Sequence, residues 1–136
     1  MLPLQKTIII VEDEPDTAEM FGEMMRLSGY NVIKTYGGTT AISLITREKP
    51  DAVVLDLMMP DLSGLEVLRF MRRDPRLERI PVIVVSAKSL PSDIKIGLDA
   101  GASVYLTKPV AFLDLKRAVE DTIQGTENAG LADSID

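Results

Sequence analysis

The sequence predicts an α/β domain built on a doubly wound, five-stranded parallel sheet with five helices. Two observations predict it. Three runs, Thr7-Ile-Ile-Ile-Val11, Ala52-Val-Val-Leu55 and Val82-Ile-Val-Val85, are almost continuously apolar and β-branched. That is the pattern of strands buried on both faces of a sheet rather than on one. Amphipathic segments long enough for helices alternate with them through short connections, so right-handed crossovers must cover both faces.

Each element has a local reason. After the first strand, Pro15 to Ser28 is amphipathic, and Gly29 supplies a helix stop. Asn31-Val-Ile-Lys-Thr-Tyr36 is more polar and alternates loosely, which suits an edge strand. Thr39 to Glu48 forms the second helix, closed by Lys49-Pro50. After the strand Ala52–Leu55, the spacing Ser63-Gly-Leu-Glu66 is that of a capping box and opens a third helix to about Arg73. Beyond Val82–Val85, Pro91 to Ala100 begins with a tolerated first-turn proline and ends at Gly101. Val104-Tyr-Leu106 is the fifth strand. Ala111 to Gln124 is the last helix, with Phe112, Leu115, Val119 and Ile123 along one face. Residues 125–136 hold two glycines, three acids and no basic residue. They read as a flexible tail or the start of a linker beyond a domain spanning 1–124.

Composition narrows the chemistry. The 136 residues include no histidine and no cysteine. That excludes a Ser-His-Asp triad, a cysteine nucleophile, a disulfide and a Cys/His zinc site. Any metal must be held by carboxylates and backbone oxygens, which favours hard cations such as Mg²⁺. The net charge of −6 argues against direct nucleic-acid binding. Ile80 to Val85, the longest nearly apolar stretch, is too short to span a membrane. The start Met1-Leu-Pro-Leu-Gln-Lys lacks the basic region and apolar run of a signal peptide. A soluble, cytoplasmic protein is the expectation. Arg69, Arg72, Arg73, Arg76 and Arg79 form a basic run, but acids interrupt it and no aromatics interleave for stacking, so it reads as a solvated helix end. Met20, Met24 and Met25 read as packing of the first helix, the alternative being that some join a flexible docking surface for a partner helix.

The functional signal lies at the strand ends. Glu12 and Asp13 follow strand one, Asp56 ends strand three, Ser86 ends strand four and Lys108 follows strand five. In open α/β sheets, ligands bind outside the carboxyl ends of the strands, where strand order reverses. In the flavodoxin-like order 2-1-3-4-5, Asp13 and Asp56 face each other there. Each carboxylate pair at about 4 Å costs roughly 4 kcal/mol at an effective dielectric near 20, so the site needs counter-charge from Lys108 and a divalent ion. Magnesium takes one or two carboxylates, keeps waters and recruits phosphate oxygens. Asp56 is the candidate nucleophile for an aspartyl-phosphate. Lys108 and the Ser86 hydroxyl would meet the phosphoryl oxygens, since phosphoryl transfer needs positioning and neutralisation more than acid–base chemistry.

The pieces Ile10-Val-Glu-Asp-Glu14, Leu55-Asp-Leu-Met-Met-Pro-Asp-Leu-Ser-Gly64, Val84-Val-Ser-Ala87, Gly101-Ala102 and Tyr105-Leu-Thr-Lys-Pro109, in this order and spacing, resemble a bacterial response-regulator receiver domain of a two-component system. The resemblance covers roughly residues 6 to 124. It implies that Asp56 is the phosphoacceptor. It also implies that Mg²⁺ is held by Asp13, Asp56 and the backbone carbonyl of Met58, with Glu12 acting through water. Ser86 and Lys108 would bind the phosphoryl group, and Ser86 with Tyr105 would form the switch. The Lys108-Pro109 bond is usually cis in such domains. Met58 and Lys88 occupy the two positions that tune dephosphorylation. Because Met58 is apolar and cannot orient water, slow loss of the phosphoryl group is expected.

The partner implied is a sensor histidine kinase or a phosphotransfer protein, and a homodimer on activation is left open. Gly101-Ala-Ser-Val-Tyr105 lacks the paired acids of the winged-helix regulator subfamily, which argues against that subfamily's salt-bridged dimer. The implied role is a phosphorylation-driven signalling switch whose helix 4–strand 5–helix 5 surface changes, not a turnover enzyme. A Mg²⁺-dependent aspartyl phosphohydrolase is the enzymatic alternative. It would want a second carboxylate two residues after the nucleophile, where Met58 stands. A phosphate-independent interaction domain is the remaining one.

Overall fold

The computed structural model describes residues 5–135, with the backbone alone for 130–135. Its elements alternate without exception: β1 (Thr7–Val11), α1 (Pro15–Leu27), β2 (Asn31–Thr35), α2 (Gly38–Glu48), β3 (Ala52–Leu55), α3 (Gly64–Arg73), β4 (Val82–Ser86), α4 (Pro91–Asp99), β5 (Val104–Thr107) and α5 (Phe112–Ile135). The strands form one parallel sheet in the order β2-β1-β3-β4-β5. The α/β, doubly wound, flavodoxin-like expectation is met in class, order and strand number. β2 lies at an edge, as its polarity suggested.

Side chains alternate across a strand, so a continuous apolar run feeds two cores at once. Ile8 and Ile10 pack with Val54, Ile83 and Val85 against Phe21 and Met25 of α1 and Leu115, Val119 and Ile123 of α5. Ile9 and Val11 pack with Val53, Leu55, Val82 and Val84 against Ala41 and Ile45 of α2 and Val67, Leu68 and Met71 of α3. Helix α4 is held mainly against β5, where buried Gly97 meets the ring of Tyr105; a Cβ there would sit 2.7 Å from that ring.

Three expectations need correction. Helix α5 does not stop at Gln124. It continues through the stretch read as a flexible tail, as far as Ile135. The stretch contains no proline. Thr126 satisfies its hydroxyl on the Thr122 carbonyl at 3.0 Å, and Glu127 forms an ion pair with Lys6. Asp136 and residues 1–4 lie outside the described residues. Arg72 is only partly solvated. Its guanidinium donates to the carbonyls of Gly101 (2.9 Å), Glu78 (2.9 Å) and Ile80 (2.8 Å), joining the end of α3 to the entries of β4 and β5. Among the methionines, Met25 is core and Met24 packs beside it, but Met20 is about half exposed. Among the described residues, no helix is long and apolar enough to cross a membrane.

Candidate functional site

Each candidate side chain is fixed because the sheet's hydrogen-bond ladder runs past the end of its strand. The Glu12 N–H donates to the Thr35 carbonyl at 3.1 Å, the Asp56 N–H to the Val11 carbonyl at 2.9 Å, and the Lys108 N–H to the Ser86 carbonyl at 2.9 Å. These bonds set the ends of β2, β1 and β3, and those of β4 and β5, in register. Glu14 then caps α1 by accepting from the Thr17 N–H at 2.8 Å, which starts the helix directly after Asp13. Below Asp56, Gly64 passes so close that a Cβ would lie 2.2 Å from the Asp56 carbonyl oxygen. Only glycine fits there.

The structure brings Glu12, Asp13 and Asp56 together: one carboxylate oxygen from each lies within 4.8 Å of the others. Glu12 and Asp56 are buried, and Asp13 is half-buried. Lys108 reaches in from the loop after β5. Its ammonium donates to Glu12 Oε1 at 2.5 Å and lies 3.5 Å from Asp56 Oδ2. The Lys108-Pro109 peptide is cis. The other oxygen of Asp56 accepts from the Met58 N–H at 3.1 Å, while the Met58 side chain is about half exposed.

Charge at this cluster is unbalanced. Three carboxylates face one ammonium. Burial, reinforced by the adjoining Asp56, pushes the Glu12 carboxyl up to about 7 despite the pull of Lys108. Burial disfavours the Lys108 ammonium, but the hydrogen bond to Glu12 and the charges of Asp56 and Glu12 outweigh it and hold its pKa above the usual value. Glu12 Oε2 is buried with no hydrogen-bond partner. A buried, partnerless carboxylate oxygen beside two further carboxylates is what a hard divalent cation would complete. The donor set therefore fits Mg²⁺.

Ser86, Lys88 and Tyr105 form a second, connected group. Ser86 is fully buried, and its Oγ accepts from the Lys88 N–H at 3.1 Å. The Lys88 carbonyl accepts from the Tyr105 hydroxyl at 2.7 Å. Both bonds use the Lys88 backbone, so they do not depend on its exposed side chain.

A family model for the response regulator receiver domain matches residues 8–120. The chain belongs to that family. It is a receiver domain of two-component signalling, a class of signalling modules rather than enzymes in general. A probable transcriptional regulatory protein, TcrX of Mycobacterium tuberculosis, is 42% identical over 103 residues, which are 76% of this chain and 43% of the relative. The chain thus spans less than half of that protein. The polar-differentiation response regulator DivK of Brucella abortus is 33% identical over 108 residues, 79% of this chain and 88% of the relative. Among solved structures, a putative response regulator from Chloroflexus aurantiacus has a TM-score of 0.85 at 29% identity, covering 89% of this chain and 99% of that one. The receiver domain of a sensor histidine kinase from Pseudomonas aeruginosa, solved with a magnesium ion coordinated in its active-site cleft, has a TM-score of 0.83 at 30% identity, covering 89% and 99%.

Sequence reasoning missed Asp61 and Gly97. Asp61 accepts from the Gly38 and Thr39 N–H groups at the start of α2, and these amides draw its carboxyl down to about 2. No local signal marks it, because both partners lie more than twenty residues back in the chain. Gly97 reads as an ordinary helix glycine until β5 places Tyr105 against it.

Proposed function

We propose that this receiver domain is a phosphorylation-driven switch in which Asp56 accepts the phosphoryl group. One observation carries the reading: Asp56 is buried among two other carboxylates with the Lys108 ammonium 3.5 Å from its Oδ2. Such a constellation has no evident structural reason, since it stores like charge inside the protein. Asp13, Asp56 and the Met58 carbonyl would hold Mg²⁺, with Glu12 acting through water. Bound there, the ion would neutralise the phosphoryl oxygens. An Asp56 carboxylate oxygen attacks phosphorus while the bond to the donor's leaving group breaks and the electron pair departs with that group. Lys108 offsets charge on the equatorial oxygens, and the Ser86 hydroxyl donates to one of them.

The donor is a sensor histidine kinase, a phosphotransfer protein or a small acyl phosphate. The chain holds no histidine of its own, so a phosphohistidine must be supplied from elsewhere. A cytoplasmic setting follows from such a partner. The link from Ser86 to Tyr105 through the Lys88 backbone supplies the output. A phosphoryl group that draws the Ser86 hydroxyl toward itself moves the atom that accepts from the Lys88 N–H, and so biases where Tyr105 sits on α4. The helix α4–β5–α5 surface changes with it.

The test is incubation with acetyl phosphate and MgCl₂, read by mass, for the native protein and Asp56→Asn. A single phosphoryl adduct on the native protein and none on the variant is expected. Equal labelling of both would remove Asp56 as acceptor. No labelling of either would favour a phosphate-independent interaction domain.

A further inference from the structure

The loop from Leu57 to Ser63 leaves β3 at the acceptor and must carry Met58 past the acidic cluster before α3 starts. Its two ends are tied down locally. The Met58 N–H donates to Asp56 Oδ1 at 3.1 Å, and the Gly64 N–H donates to the Leu57 carbonyl at 3.1 Å. The outward part of the loop is held from another element. Helix α2 opens at Gly38, and its N-cap is Gly37, which offers no side chain for its first amides. Asp61 supplies the missing acceptor. Its Oδ1 takes the Gly38 N–H at 3.1 Å and its Oδ2 takes the Thr39 N–H at 3.2 Å.

Steric fit points the same way. A Cβ on Gly38 would lie 2.5 Å from the Leu62 carbonyl oxygen and 2.8 Å from Leu62 Cβ, and one on Gly37 would lie 3.1 Å from Asp61 Oδ2. The start of α2 is therefore seated directly on the loop backbone. A helix capped by a residue more than twenty positions away gains no local economy from the arrangement. What the bond does fix is the path of the loop that bears Met58.

We propose that Asp61 is a positioning residue for the acidic site, latching the Met58-bearing loop to the first turn of α2. The proposal rests on the reading that Asp13, Asp56 and the Met58 carbonyl hold Mg²⁺, because it is their relative placement that the latch would fix. Removing a group that orients a metal ligand commonly costs ten- to a hundredfold in metal affinity.

The experiment compares the native chain with Asp61→Ala and Asp61→Asn. Asp61 is exposed, so both variants should fold. Calorimetric titration with MgCl₂ alone is expected to show about tenfold weaker binding for Asp61→Ala. Asparagine retains a capping oxygen, so Asp61→Asn should recover most of the affinity. In Mg²⁺-free buffer, amide exchange at Met58, Met59 and Leu62 should accelerate in Asp61→Ala and not in Asp61→Asn. A merely structural cap would speed exchange at Gly38 to Ala41 and leave Mg²⁺ affinity unchanged, and that result would overturn the proposal. So would native protein that binds no Mg²⁺. Native protein that binds Mg²⁺ but takes no label from acetyl phosphate would instead sink the phosphoacceptor reading and leave the latch standing.

Discussion

Arg72 and Lys108 are single cations, each partly buried against oxygen, at opposite edges of the same sheet. At the strand-entry edge, Arg72 meets three neutral carbonyls, those of Gly101, Glu78 and Ile80, and each bond is 2.8–2.9 Å long. Three guanidinium donors there each meet a carbonyl, and Gly101, at φ +115°, lies so close that a Cβ on it would sit 2.6 Å from the arginine Cγ. At the strand-exit edge, Lys108 meets Glu12 and Asp56 with Asp13 close by, and one buried oxygen stays unpaired. The first arrangement closes a structure. The second leaves negative charge without a matching cation at the proposed Mg²⁺ site. The difference marks the strand-exit edge as the candidate site without reference to any relative: a side chain of the same charge is a staple at one edge and an incomplete neutralisation at the other.

The sharpest way to break this contrast is to remove each cation. Lys108→Met should cost about 3 kcal/mol in Mg²⁺-free buffer at pH 7, the usual scale for removing one partner of a buried pair. That loss should be smaller in saturating MgCl₂, because the carboxylates left without the lysine should bind the ion more tightly than those of the native protein and so gain more stability from it. Urea unfolding with and without MgCl₂ measures both quantities. A loss of the same size in the two buffers would mean that Lys108 is structural, like Arg72.

Arg72→Met should cost about 2 kcal/mol, because it strands carbonyls that lose their donor in a partly buried place. Here MgCl₂ should change nothing, and labelling of Asp56 by acetyl phosphate should proceed at the native rate. A slower rate in this variant would show that the two edges are coupled through α3 and the Gly101 loop.

The sequence exposed these two edges unequally. Strand ends are legible because a run such as Ile8-Ile-Ile-Val11 must stop somewhere, and the acids directly after it stand out against the apolar background. Topology alone then carries Glu12, Asp13, Asp56 and Lys108 to one edge. Arg72 hid because it sits in a run of arginines on a helix end, and nothing local says that Gly101, 29 residues on, will come back to meet it. Asp61 hid for the same reason. Its partners belong to α2, and a carboxylate after proline looks like any loop acid. The end of α5 hid differently. Gly125 and an acidic, weakly apolar stretch read as a stop, while side-chain bonds such as that of Thr126 to the turn before it support the helix without leaving a periodic apolar mark.

The smallest expected effect separates the two ties by their titration. Arg72 keeps its charge across the accessible range, so its staple should hold at every pH at which the core survives. Asp61 does not. Its carboxyl is held near 2 by the Gly38, Leu62 and Thr39 amides, against 3.8 for the free group. A lowered folded-state pKa gives stability that is present above the unfolded value and lost as pH falls through the folded one. The difference in melting temperature between the native protein and Asp61→Ala should therefore be constant above about pH 5, shrink from about pH 4 downward and approach zero near pH 2. The Arg72→Met difference, measured in parallel, should stay level across the same range. If the Asp61 difference also stays level, the carboxylate charge contributes nothing to the cap, and an uncharged acceptor would hold the loop equally well.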